Sequence, residues 1–169
     1  LSSILYIFIP IFLITGPFLP DLSLVIICVL FLYETFSKKN LNFFDNKYFK
    51  LFIIFYIIIL ISSLFSDYSE YSLKRSIPYL RFGIFSLAVF FLISQNEKII
   101  KNLTLIFLAI FLILFVDSTI EFLFDKNILG WKRLNIFRIT SLFGDDEVLG
   151  SYIARFFPLL ISLILFSKK

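Results

Sequence analysis

Residues 103–124 read LTLIFLAIFLILFVDSTIEFLF, an unbroken apolar run whose first charged residues, Asp117 and Glu121, come near its far end. Its length falls in the range of about 17–25 residues that carries a helix across the hydrocarbon core of a bilayer. A helix is the required state, because an open sheet edge cannot be satisfied in lipid. Working outward, five further apolar segments can be marked at residues 1–15, 22–36, 49–65, 77–94 and 148–166. The first two are a little short for a span and are separated by the breaker string GPFLPD, residues 16–21. The expected fold is therefore all-α, a polytopic transmembrane helical bundle of about six spans forming one transmembrane domain over residues 1–169.

Composition points the same way. The chain is 60% hydrophobic and 17% charged, with 25 Phe and a mean hydropathy of +0.98, which exceeds ordinary globular usage. Its net charge of +4 is divided among short loops and forms no basic face, so nucleic acid is excluded as a partner. The single cysteine, Cys28, lies in an apolar run and reads as a small buried hydrophobe. The absence of histidine removes the usual metal ligand and the usual general base. The chain opens inside an apolar run, contains no Met, and stops as a helix leaves the bilayer. It is expected to be the N-terminal part of a longer protein, with a truncated first span in place of a signal peptide.

The early loops set the expected orientation. GPFLPD carries no basic residue, whereas the next connection, residues 37–50, carries Lys38, Lys39, Lys47 and Lys50. The positive-inside rule then puts the N-terminus in the cytoplasm. Lys98, Lys101, Lys168 and Lys169 fall on the same inner side, and all five arginines fall on the outer side or in the outer half of a helix. Arginine grips phosphate or carboxylate with a planar fork of donors, whereas lysine offers a point charge. This sorting predicts an anionic ligand on the outer face.

The segment RITSLFGDDEVLGSYIARFFP, residues 138–158, concentrates the chemistry. Arg155 lies about two turns below Glu147 in a continuous helix, and a charge at mid-bilayer costs about 2.5–3.5 kcal/mol on insertion scales. Glu147, Ser151 and Arg155 recur every four residues and would share a face, as would Asp117 and Glu121. These acids are expected to hold the arginines in place. Gly144, Asp145 and Asp146 read as a helix start with an acidic cap, and Gly144 and Gly150 would let a ligand approach the backbone closely. Adjacent carboxylates without histidine are a poor metal site, so no metal and no cofactor are expected. Arg75 lies in the outer loop SDYSEYSLKRS, residues 66–76, and Arg81 about one turn inside the fourth span beside Tyr79. Trp131, with Lys132 and Arg133, reads as an interfacial anchor.

The string RITSLFGDDEVLGSYIARFFP, with the earlier LKRSIPYLRF, resembles the first half of the bacterial O-antigen ligase and O-antigen polymerase family. The resemblance rests on Arg138, Phe143, Gly144, Asp145, Glu147, Gly150, Ser151, Tyr152, Arg155 and Pro158, with Asp146 as an extra acid. It implies a multi-pass glycosyltransferase of the inner (cytoplasmic) membrane, working on its periplasmic face. Such an enzyme moves a glycan from an undecaprenyl-pyrophosphate carrier to lipid A core or to a growing O-antigen chain. On that resemblance Arg155, Arg138, Arg81 and Arg75 would bind the carrier phosphates, supported by Asp145, Glu147, Gly150, Ser151 and Tyr152. The residue that activates the acceptor would lie beyond Lys169. The partners implied are the carrier-linked glycan, its acceptor and membrane lipids. The rival reading is a transporter or flippase for an anionic lipid-linked sugar, which would want cations near the midplane and inverted repeats.

Overall fold

A computed structural model describes residues 1–39, 41–133 and 138–167. Among these residues seven α-helices follow in order: α1 (Ser2–Phe12), α2 (Phe18–Ser37), α3 (Lys47–Leu64), α4 (Ser69–Ser76), α5 (Leu80–Gln95), α6 (Lys98–Phe124) and α7 (Leu149–Ser167). Among the described residues there is no strand, and an isolated bridge joins Lys126 and Lys132. Among the described residues five helical stretches are long and apolar enough to cross a membrane: α2, α3, the α4–α5 stretch Ser69–Gln95, α6 and α7; α1 is a shorter apolar helix. The protein is thus an all-α helical bundle of multi-pass character. Two of the expected inner cations, Lys168 and Lys169, lie outside the described residues.

Three boundaries differ from the sequence reading, each for a local reason. Helix α2 starts at Phe18, inside GPFLPD, because Pro20 falls in its first turn, where a missing N–H costs nothing. The supposed loop at residues 66–76 is largely α4, an amphipathic helix supported by the Glu70–Lys74 pair at 2.8 Å and by basic residues in its last turn. Pro78 then tightens the chain into a single 3₁₀ turn, Ile77–Tyr79, before α5.

The chain's contacts gather into two compact units. The first, Leu1–Ser2 with Leu22–Asn96, is aromatic at its centre. Phe31 of α2 and Phe91 of α5 lie 5.5 Å apart, and Phe43, from the short turn Leu41–Asp45, meets Phe91 edge-on at 5.1 Å. Such pairs add about 0.5–1.5 kcal/mol beyond their buried area. Asn46 caps α3 by accepting the Tyr48 N–H at 2.9 Å. Gly83 of α5 makes room for the Phe52 ring of α3, since a Cβ there would lie 2.1 Å from it. Buried Cys28 donates to the Arg81 carbonyl at 3.5 Å, an inert structural contact.

The second unit, Ser3–Asp21 with Glu97–Lys169, is built on the antiparallel pair α6 and α7. Leu103 and Phe107 on the first half of α6 pack with Leu160, late in α7, while Ile110 and Leu114 pack with Leu149 and Tyr152, early in α7. Helix α1 joins the packing through Tyr6 and Ile11. At its end the Ile14 N–H turns to Ile11 in a tightened last turn, and the Pro10 carbonyl accepts the buried Tyr152 hydroxyl at 3.0 Å.

Candidate anion site at the mouth of α6 and α7

The buried face of α6 runs through Ile99, Leu103, Phe107, Ile110, Leu114, Asp117 and Glu121, an uninterrupted i+3/i+4 stripe. Its last two members are acids, and the register that buries the leucines buries them too: Asp117 is 0% exposed and Glu121 2%. A buried carboxylate must find donors. Both find them in the connection to α7. Asp117 accepts the Ile128 N–H at 2.7 Å and the Ser141 hydroxyl at 2.5 Å. Glu121 accepts the Thr140 N–H at 3.1 Å and the Ser141 N–H at 2.5 Å.

Ser141 is the point on which these contacts converge. It is fully buried, its carbonyl accepts from the Asn127 side chain at 3.1 Å, and its backbone is left-handed at φ 52°. A non-glycine residue in that region is strained and persists only where its surroundings over-determine it. Here backbone N–H, carbonyl and hydroxyl are all engaged. Asn127 also accepts the Trp131 N–H at 2.8 Å, closing a turn that Gly130 completes at φ 82°. Trp131, read as an interfacial anchor, is half exposed, with its ring 3.7 Å from where a Gly144 Cβ would sit.

The acids on α6 therefore hold backbone and a hydroxyl, which corrects the expectation that they hold arginines. Their shared face is legible in the spacing; the continuation of the apolar i+3/i+4 stripe into them is the signal that they face inward.

Beyond Ser141 the chain makes a 3₁₀ turn, Ser141–Phe143, and reverses at Gly144, whose φ 65° and ψ −122° only glycine adopts readily. Asp145 and Asp146 follow in the turn and do not cap α7, correcting the expected helix start. The Val148 N–H bonds back to the Asp146 carbonyl, and α7 begins at Leu149. Glu147 consequently lies ahead of the helix. It pairs with Arg138 at 2.5 Å, across the turn, and not with Arg155. The Arg138 side chain remains 63% exposed despite the pair.

On α7, Ser151 and Arg155 share the exposed face, as their spacing predicts. Ser151 returns its hydroxyl to the Val148 carbonyl at 2.9 Å. Arg155 is exposed about 9 Å along the axis from Leu149, and it has no hydrogen-bond or ion-pair partner among the described residues. Gly150 has open space around it, leaving the backbone of the first turn accessible. Tyr152 points the other way, into the core, and acts as a strut to α1.

The other two arginines belong to the first unit. Arg75 is on the last turn of α4, and Arg81 is on the first turn of α5 with its guanidinium 5.2 Å from the Phe82 ring centroid. Among the described residues no group of three or more metal-ligating side chains comes together. The mouth of α6 and α7 thus offers one half-paired guanidinium, one unpaired guanidinium and an open helix start, a set suited to oxyanions. Compared with known protein families, curated proteins and solved structures, the chain matches none.

Proposed function

We propose that the protein acts as a membrane glycosyltransferase of the O-antigen ligase or polymerase kind, with Arg155 and Arg138 contacting the pyrophosphate of an undecaprenyl-linked glycan on the periplasmic face. One observation carries the reading: Arg155 is exposed and unpaired among the described residues, on a helix apolar and long enough to span a membrane. An ionisable side chain in such a place marks a ligand or transport path by default. Arg138 adds a second guanidinium at the same mouth, already held in part by Glu147.

The chemistry suits the groups present. Breaking the bond between glycan and carrier leaves negative charge on the departing pyrophosphate. Fixed guanidinium groups bind that charge more tightly as it develops, which lowers the barrier without lowering the ground state equally. The acceptor is lipid A core for a ligase or another repeat unit for a polymerase, and the mouth would face the periplasmic leaflet of the inner membrane, where both reside.

The test replaces the native gene with Arg155→Ala or Arg138→Ala and follows surface glycan by gel and carrier-linked glycan by extraction. Transfer is expected to fall at least about tenfold in each, by analogy with the loss of a preorganised charge-stabilising donor, with carrier-linked glycan accumulating at the periplasmic face. Unchanged transfer at unchanged protein level in both variants would sink the proposal. Accumulation at the cytoplasmic face would instead identify a flippase.

A further inference from the structure

We infer that Glu121 is a positioning residue for Arg138, acting through the two backbone N–H groups it clamps; the inference rests on the reading of Arg138 as an anion-binding group. Arg138 stands two residues before Thr140, and the short segment from Arg138 to Ser141 is suspended from α6. Glu121 takes the N–H groups of both Thr140 and Ser141, one per carboxylate oxygen. The carbonyl of Arg138 itself accepts from Arg133 Nε at 3.4 Å, and the Arg133 side chain is only 11% exposed. The guanidinium of Arg138 can therefore reach outward while the backbone two and three residues further on is pinned to the buried end of α6.

The donors decide which substitutions the clamp tolerates. Asp117 faces one N–H and one hydroxyl, and a hydroxyl can turn round and accept. An asparagine at 117 can keep both bonds, its oxygen on Ile128 and its amide nitrogen donating to Ser141. Glu121 faces two N–H groups, neither of which can accept. A glutamine there keeps one bond and sets its own N–H₂ against the other donor. Asp117→Asn and Glu121→Gln are the same chemical change, yet only the second breaks the clamp. A requirement for negative charge alone would make both fail, and a requirement for packing alone would make both harmless.

The experiment measures distances between spin labels placed at Arg138→Cys and at exposed Leu123→Cys in the detergent-solubilised protein, in the parent, Asp117→Asn and Glu121→Gln backgrounds. A narrow distribution in the parent and in Asp117→Asn, with a broad one in Glu121→Gln, is the expected result. A distribution as narrow in Glu121→Gln as in the parent overturns the inference, and so does equal broadening in Asp117→Asn. Should Glu121→Gln fail to accumulate, hydrogen exchange on the unlabelled parent decides: slow amides at Thr140 and Ser141 support the clamp, and fast ones overturn it.

Activity separates this inference from the reading beneath it. Glu121→Gln is expected to lower glycan transfer on the order of tenfold, as small misplacements of binding groups do, and to add no further loss on top of Arg138→Ala, because a residue acting through another is silent once that other is gone. Additive losses overturn positioning through Arg138. If the distances broaden while neither Glu121→Gln nor Arg138→Ala alters transfer, the positioning stands and the glycan reading falls.

Discussion

The turn between α3 and α4 and the connection between α6 and α7 are both fastened by buried polar groups, but with different chemistry. In the first unit the fastening is neutral. The Ser63 and Ser76 hydroxyl oxygens lie 2.5 Å apart, and each hydroxyl is also within reach of a carbonyl of its own helix, Ile59 and Ser72, so that each can donate its one proton either across or to its own helix. Either serine can be lost without stranding a donor, because the helices close their own ladders. In the second unit two carboxylates hold a segment with no ladder of its own, and the three backbone N–H groups they satisfy would be stranded without them. Hydroxyls suffice between helices that are already self-satisfied, whereas an irregular segment at the mouth of a helix pair needs multivalent acceptors.

The sharpest way to break this contrast is Glu121→Leu. It strands two buried N–H groups at about 1–3 kcal/mol each, so the unfolding midpoint in detergent should drop further than for Gly83→Ala, Ser63→Ala or Lys50→Ala. Stability within about 1 kcal/mol of the parent, no more than the least cost of one stranded group, would mean that water or a rearranged segment replaces the acid. Next in size is Gly83→Ala in the first unit, where the new methyl meets the Phe52 ring. Overpacking of this kind costs about 1–3 kcal/mol, and Phe52→Leu should recover part of it. A double-mutant cycle with no coupling would show that the two helices do not meet there.

Ser63→Ala should matter far less, by about 0.6 kcal/mol, the usual worth of a polar contact between membrane helices. A loss as large as that of Glu121→Leu would erase the distinction between the two units. Smallest of all is Lys50→Ala. The Lys50 ammonium bonds Asp45 at 2.5 Å in the exposed turn before α3, and that bond holds the Asp45 carboxyl below its ordinary value. A depressed carboxylate favours the folded state above its ordinary titration range and ceases to as the pH falls through its folded value. Removing Lys50 should raise the Asp45 titration midpoint, seen by NMR, with no measurable change in thermal stability because both groups are exposed.

Much of the candidate site is legible in the sequence. The five longest apolar helices, the shared face of Ser151 and Arg155, and the placement of Arg138 near the start of the last helix all follow from spacing. The partners of the acids do not. Asp117 and Ser141 are separated by 24 positions and Glu121 and Thr140 by 19, and no local period connects residues across an irregular segment. Extending α7 back through Glu147 puts that acid on the face of Arg155. The helix instead begins at Leu149, after a turn in which the Val148 N–H bonds the Asp146 carbonyl, and Glu147 pairs with Arg138. Tyr152 groups with the polar mouth in the sequence because it neighbours Ser151, yet adjacent helical residues point about 100° apart, and this one faces the core.

The chain by itself determined that it is helical, that it crosses apolar surroundings several times, and that its arginines gather at a few helix ends. Those properties follow from hydropathy and charge, which act on each segment wherever its neighbours lie. Only the tertiary structure decided what the charges do. It turned Asp117 and Glu121 into a clamp, paired Arg138 with Glu147 and left Arg155 exposed, because a buried carboxylate takes whichever donors the fold brings within about 3 Å.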